Sequence, residues 1–167
     1  MLQKHANVSY FRNFVFGVED SLVSTVGLLS GIAIAGVSQG QIFLTGVVLI
    51  FVEAISMAAG SFLSESSAEE YEAGKEERSG QGRLAAFVMF TSYFISGFIP
   101  LLPYVLLPVS QAFVASIAVS LIALSILGAV AARLSHIPPI RSIIRAVLVG
   151  GVAILIGVLV GSWLGEY

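Results

Sequence analysis

Glu53 places an ionisable carboxylate in the middle of the apolar run Phe51-Val-Glu-Ala-Ile-Ser-Met-Ala-Ala-Gly-Ser-Phe62. Inserting a carboxylate at mid-bilayer costs about 2.5–3.5 kcal/mol, so such a group faces protein, water or an ion rather than lipid. Met57 follows four residues later and shares its helix face. A carboxylate beside a thioether suits a divalent transition ion, whereas oxygen ligands alone suit magnesium or calcium. The competing reading of Met57 is core filler, the ordinary role of an isolated methionine on an apolar helix. Glu53 can also carry a proton, and a proton and a bound cation compete for the same oxygens. Exchange of a metal ion against protons therefore needs no further type of group.

A second carboxylate, Asp20, opens a stripe with Ser24, Gly27 and Gly31 at 4-3-4 spacing on one side of a helix. Gly27-Leu-Leu-Ser-Gly31 is a small-xxx-small pattern that admits a second helix backbone at close range. Asp20 reads either as a snorkelling group on a packing helix or as part of an ion path, with the glycines bringing another helix alongside. Glu19 points about 100° away and is the weaker candidate. Further on, Glu65, Glu69, Glu72 and Glu76 recur at helical spacing, with Glu70 and Glu77 beside them. They form either a solvated helix end partnered by Lys75 and Arg78 or an acidic funnel that gathers cations. Gly157, Gly161 and Gly165 make a second small-residue stripe, read as packing within one chain.

The chain that must position these groups has 167 residues, 57% of them hydrophobic and 11% charged, with a mean hydropathy of +0.97. A soluble domain carries roughly 25% charged residues. Too little polar surface remains to face water, so the expectation is an all-α integral membrane protein. The net charge of −2 and the lack of a basic stripe exclude a nucleic-acid partner. Without cysteine there are no disulfides, thiolate metal sites or thiol nucleophiles. His5 and His136 fall outside the apolar segments, and no His-Glu-x-x-His, Gly-x-Ser-x-Gly or phosphate-binding glycine loop occurs. A non-enzyme with no resident cofactor is expected.

Five apolar segments, at about 14–37, 42–63, 84–103, 110–132 and 143–164, each have roughly the 20 residues that cross a 30 Å hydrocarbon core. Helix two is expected to continue into water to about residue 78, before Ser79-Gly-Gln-Gly82 stops it. Segment three ends among Pro100, Pro103 and Pro108, where a helix should not continue unbroken. The N-terminus lacks the features of a removable signal, so segment one is read as a retained span. All eight Lys and Arg residues fall before segment one, between two and three, or between four and five. With five spans these places share one side, which predicts a cytoplasmic N-terminus and an external or luminal C-terminus. Trp163 and Tyr167 then fit an anchor at the external interface.

Two stretches together resemble the vacuolar iron transporter family. Arg12-Asn-Phe-Val-Phe-Gly-Val-Glu-Asp-Ser-Leu-Val-Ser-Thr-Val-Gly-Leu-Leu-Ser-Gly31 is similar to the family's Asp-Gly-(Leu/Ile)-Val-Ser-Thr first helix. Glu53-Ala-Ile-Ser-Met-Ala-Ala-Gly-Ser-Phe-Leu-Ser64 is similar to its Ile-Ser-Met-Gly-x-Gly-x-Tyr-Leu-Ser second helix. The resemblance covers residues 12–72 and implies a homodimer with a pathway between protomers, lined by the first helix of each. It also implies proton-driven export of Fe²⁺, with Mn²⁺ as a second cargo. Asp20 and Met57 match the motif acid and methionine, while Glu53 sits where members vary. Ser21 stands where the family has Gly. The connection between segments two and three has only about twenty residues, too few for the helical Glu-rich metal-binding domain of well-known members. A prokaryotic plasma membrane is the expected location, with an organelle as the alternative. A membrane scaffold and a channel without proton coupling are the competing functions.

Overall fold

A computed structural model describes the backbone of residues 2–73 and 80–165, with side chains at 7–71 and 80–165. These residues form five helices: α1 (Leu2–Ile34), α2 (Gln39–Ala73), α3 (Gln81–Leu106), α4 (Val109–Leu134) and α5 (Pro139–Leu164). Each holds a stretch long and apolar enough to cross a membrane, as the segment count predicts. Helices α1 and α2 have 33 and 35 residues. At 1.5 Å per residue each is about 50 Å long, well beyond a hydrocarbon core of about 30 Å. Hydrogen bonds from Ser9 and Arg12 of α1 to Glu65 of α2 pair the start of one with the end of the other, so both overhangs leave on the same side. The expected extension of helix two is observed to Ala73. Residues 74–79, the Glu72 side chain and Tyr167 lie outside the described residues.

Several boundaries differ from the sequence reading. α1 starts at Leu2 rather than Phe14, and α5 starts at Pro139 rather than Ile143. Proline at the first helical position has no N–H to lose and a pre-set φ, so Pro139 begins α5 instead of delaying it. The expected break in segment three does not occur: α3 runs through Pro100 and Pro103 to Leu106. In a membrane an irregular backbone exposes more unpaired groups than a proline-containing helix, and neighbouring side chains supply bonds. Ser116 Oγ donates to the Pro100 carbonyl at 2.7 Å, and Gln39 Nε2 donates to the Tyr104 carbonyl at 2.7 Å. α1 and α4 both end on a residue in the left-handed region, Gly36 (φ 78) and His136 (φ 55). Each lets a following N–H turn back to a helical carbonyl, Val37 to Ile32 and Ile137 to Ala132.

α1 packs against all four other helices, whereas α2 leans mainly on α3 and has no extended contact with α5. Leu29, Ile42, Ile50, Leu101, Tyr104 and Ala112 form one core among α1–α4; Leu22, Leu124 and Ala146 form a second where α4 and α5 meet α1. Successive helices run in opposite directions, which brings Arg12, Arg83, Arg133, Arg141 and Arg145 to one end of the bundle.

The closest backbone approach joins the two glycine stripes. A Cβ on Gly157 would collide with the Gly27 carbonyl, one on Gly161 with the Gly31 carbonyl, and one on Gly31 would lie 2.7 Å from the Gly157 carbonyl. The helix that the Gly27–Gly31 stripe admits is therefore α5 of the same chain. Gly157→Leu is expected to separate α1 from α5 and cost about 1–3 kcal/mol or more, seen as a lower Tm and aggregation in detergent. Gly151→Ala, on the same helix but with no atom within 4 Å of the new Cβ, should leave the Tm unchanged or raise it, because alanine propagates a helix better than glycine.

Candidate functional site

One side of α1 serves two different neighbours. Near its start it is tied to α2 by polar bonds: Ser61 Oγ donates to Asn13 Oδ1 at 2.7 Å, Ser9 Oγ donates to Glu65 Oε1 at 2.5 Å, and Arg12 pairs with the same Glu65 oxygen at 2.5 Å. Near its end it is held against α5 by the glycine contact. Asp20 lies between these two clamps. It is half-buried and is the one charged side chain lining a groove of 570 Å³ between α1 and α5, whose other walls include Ser24, Gly27, Gly31, Gly157 and Gly161.

Glu53, half-buried on α2, and Glu19, the neighbour in sequence, are both close enough to Asp20 to repel it electrostatically. Asp20 and Glu53 also act on Tyr93 of α3, whose hydroxyl is 2.8 Å from Ser24 Oγ. Asp20 thus has two further carboxylates, Glu19 on its own helix and Glu53 on α2, near enough to act on it through charge, and a phenol within their reach. Carboxylates so placed in a low-dielectric surrounding repel one another unless a proton or a cation stands between them. Among the described residues, no group of three or more His, Cys, Asp or Glu side chains is arranged to hold a metal ion. One chain alone does not complete a hard-donor cage around Asp20.

Met57 lines a different cavity, of 670 Å³, between α1, α2 and α3, together with Arg12, Asn13, Ser61, Glu65 and Met89. The three residues singled out first are thus divided: Asp20 and Glu53 interact, and Met57 opens onto the neighbouring space. Glu65, at the head of the acidic extension, is paired with Arg12 across helices, whereas the sequence reading offered Lys75 and Arg78, which lie outside the described residues. Glu69 is half-buried and Glu70 exposed; the Glu72 side chain lies outside the described residues.

Tyr93, Met89 and Asn13 were missed by sequence reasoning. A usable signal existed in α3, where Met89, Ser92, Tyr93, Ser96 and Gly97 recur at 3-1-3-1 spacing, a polar and small face inside an apolar span. All five are buried. Ser21, which stands where the family motif has Gly, is fully buried and donates to the Tyr93 carbonyl at 2.7 Å. A Cβ on Gly97 would lie 2.9 Å from its Oγ, so the serine is accommodated by a glycine opposite.

Fold and site together define a class: a five-helix integral membrane protein whose central helix carries a carboxylate opening sideways into the membrane plane. More particularly, the chain belongs to the VIT family, whose model matches residues 11–83 and 75–162. The two matched stretches meet at the connection between α2 and α3. Vacuolar iron transporter 1 of Arabidopsis thaliana is 24% identical, over 85% of this chain and 81% of the relative. Vacuolar iron transporter homolog 4 of the same plant is 30% identical, over 85% and 77%, and homolog 5 of Oryza sativa subsp. japonica is 28% identical, over 89% and 77%. The alignment with the first relative runs over 202 positions, more than the 167 residues of this chain, so part of that relative has no counterpart here. These plant proteins are named for the vacuole, which gives no support to the expected prokaryotic plasma membrane.

Ser21→Ala should cost about 0.5–1.5 kcal/mol by removing the bond to the Tyr93 carbonyl. Gly97→Leu should cost more, because both Ser21 and Ile50 occupy the space it needs. Thermal unfolding in detergent, followed by tryptophan fluorescence or light scattering, ranks the two.

Proposed function

We propose that this chain carries a divalent transition-metal ion, Fe²⁺ with Mn²⁺ as an alternative cargo, out of the cytoplasm in exchange for protons. The observation that carries this reading is Asp20 on the wall of the groove between α1 and α5, with Glu53 of α2 near enough to act on it electrostatically. Membrane carboxylates facing outward from a single chain need a partner surface, and a second copy would supply its own pair across a two-fold axis. Two pairs of carboxylates would surround an ion that one pair leaves incompletely coordinated. Protons arriving from the far side compete for the same oxygens and release the ion. The relatives' names, vacuolar iron transporter, support the cargo and an organelle membrane as the location. The arginines gathered at one end of the bundle support a cytoplasmic N-terminus.

In proteoliposomes with an imposed pH gradient, the wild type should accumulate Fe²⁺ and Mn²⁺. Asp20→Asn and Glu53→Gln should each abolish flux while leaving a folded, monodisperse protein. Wild-type flux in either variant would refute the site, and flux indifferent to the pH gradient would replace exchange with a channel. The two-copy arrangement has its own check. The chain has no cysteine, so Leu28→Cys, placed on the wall of the Asp20 groove, should form an inter-chain disulfide on oxidation. Cysteine at Leu134, exposed at the far end of α4, should not.

A further inference from the structure

Charge at the arginine-rich end of the bundle is unevenly shared. On the α1–α2 side Arg12 is paired with Glu65, and Glu69 and Glu70 follow along α2. On the α4–α5 side Arg133 lies in the last turn of α4, and Arg141 and Arg145 lie in the first two turns of α5, all exposed. Residues 80–165, which hold α3, α4 and α5, contain no Asp or Glu. Among the described residues neither Arg141 nor Arg145 takes part in an ion pair.

The length of α5 sets the depth of these two arginines. From Ala146 to Leu164 runs a stretch of roughly 19 uncharged residues, about 28 Å long, which matches a hydrocarbon core of about 30 Å. Arg145 therefore stands at the edge of the hydrocarbon, with Arg141 about 6 Å further out, at the level of the lipid headgroups. Burial sets their direction. α5 faces the protein through Ser142 and Ile143, whose backbone touches Gly128 of α4, and through buried Ala146 and Gly150. Arg141 and Arg145 each precede one of these contacts by one residue, about 100° round the helix. They begin a stripe that continues as Leu148, Val152, Leu155 and Leu159, at 4-3-4-3-4 spacing on one face and exposed throughout. None of these residues lines the Asp20 groove.

Two guanidiniums above an unpartnered apolar strip match an amphiphile with an anionic head and an acyl chain beneath it. A second copy of the chain fits the strip less well. Two such faces meeting across a two-fold axis along the membrane normal would bring four guanidiniums together, with no carboxylate on the described part of either α5 to offset them.

We propose that the Arg141–Leu159 face of α5 binds an anionic glycerophospholipid of the leaflet at the arginine-rich end, with its phosphate on the two guanidiniums and an acyl chain along the apolar strip. The test uses the full-length chain carrying Trp163→Phe and Val152→Trp, whose single tryptophan then lies on the strip. It is placed in nanodiscs of symmetrical lipid composition, so the direction of insertion does not matter. Brominated phosphatidylglycerol, as a minor lipid in phosphatidylcholine, is compared as a quencher with brominated phosphatidylcholine at the same fraction. The anionic lipid should be preferred by roughly fivefold for each arginine engaged, and added salt should weaken the preference. Arg141→Gln/Arg145→Gln should make quenching by the two lipids equal. Arg141→Lys/Arg145→Lys keeps the charge and should retain a preference, which separates loss of charge from a disturbed helix. Equal quenching in the parent chain, a preference that survives the glutamine pair, or one lost equally in the lysine pair would overturn the site. So would quenching by neither lipid, which would mean that a second copy or another protein surface covers the strip.

Discussion

Helix α5 is held to the bundle by backbone touching backbone. Lipid tails are as apolar as leucine, so no hydrophobic force drives one membrane helix against another, and close packing must do so. Gly27 and Gly31 on α1 meet Gly157 and Gly161 on α5 at distances that no side chain would permit. Few other residues of α5 are buried: Ala146 and Gly150 complete the set with Gly161. The same side of α1 cannot take α2 along that length. α2 instead engages α1 nearer its start, through Asn13, Ser61, Glu65 and Arg12, and then leans on α3. Two neighbours attached at opposite ends of one stripe leave its middle uncovered, and Asp20 stands there.

Polar groups inside the bundle are satisfied by other helices rather than by water. Ser21 bonds a carbonyl of α3, Ser116 another carbonyl of α3, and Ser61 the amide of Asn13 on α1. Each bond contributes about 0.5–1.5 kcal/mol, yet together they set the rotation of each helix. That rotation sets the Tyr93 hydroxyl 2.8 Å from Ser24 Oγ and leaves Asp20 and Glu53 near enough to act on it through charge. α2 and α4 likewise supply donors to carbonyls near the end of α3, from Gln39 to Tyr104 and from Ser116 to Pro100.

The two spaces around the start of α1 differ in chemistry. The groove at Asp20 presents one carboxylate among apolar walls, with Glu53 nearby. The cavity at Met57 presents sulfur, amide and carboxylate donors, with an arginine already seated on the carboxylate.

Much of this was legible from residue types and spacing. Five spans follow from apolar runs of about 20 residues, because length and hydropathy alone set what a bilayer accepts. Asp20, Glu53 and Met57 stood out because charge and sulfur are rare in such runs, and the glycine stripes announced close packing. Spacing along one helix says nothing of which helix faces it, and that is where tertiary structure decided. It matched the Gly27 stripe to Gly157 and Gly161, paired Glu65 with Arg12 rather than with its own helix, and set Met57 beside Met89 instead of Asp20. It also carried α3 through Pro100 and Pro103, where a break would leave more backbone groups unpaired in lipid than a proline-containing helix does. Local composition fixes what each segment must bury; only the arrangement of the other four helices fixes what it is buried against.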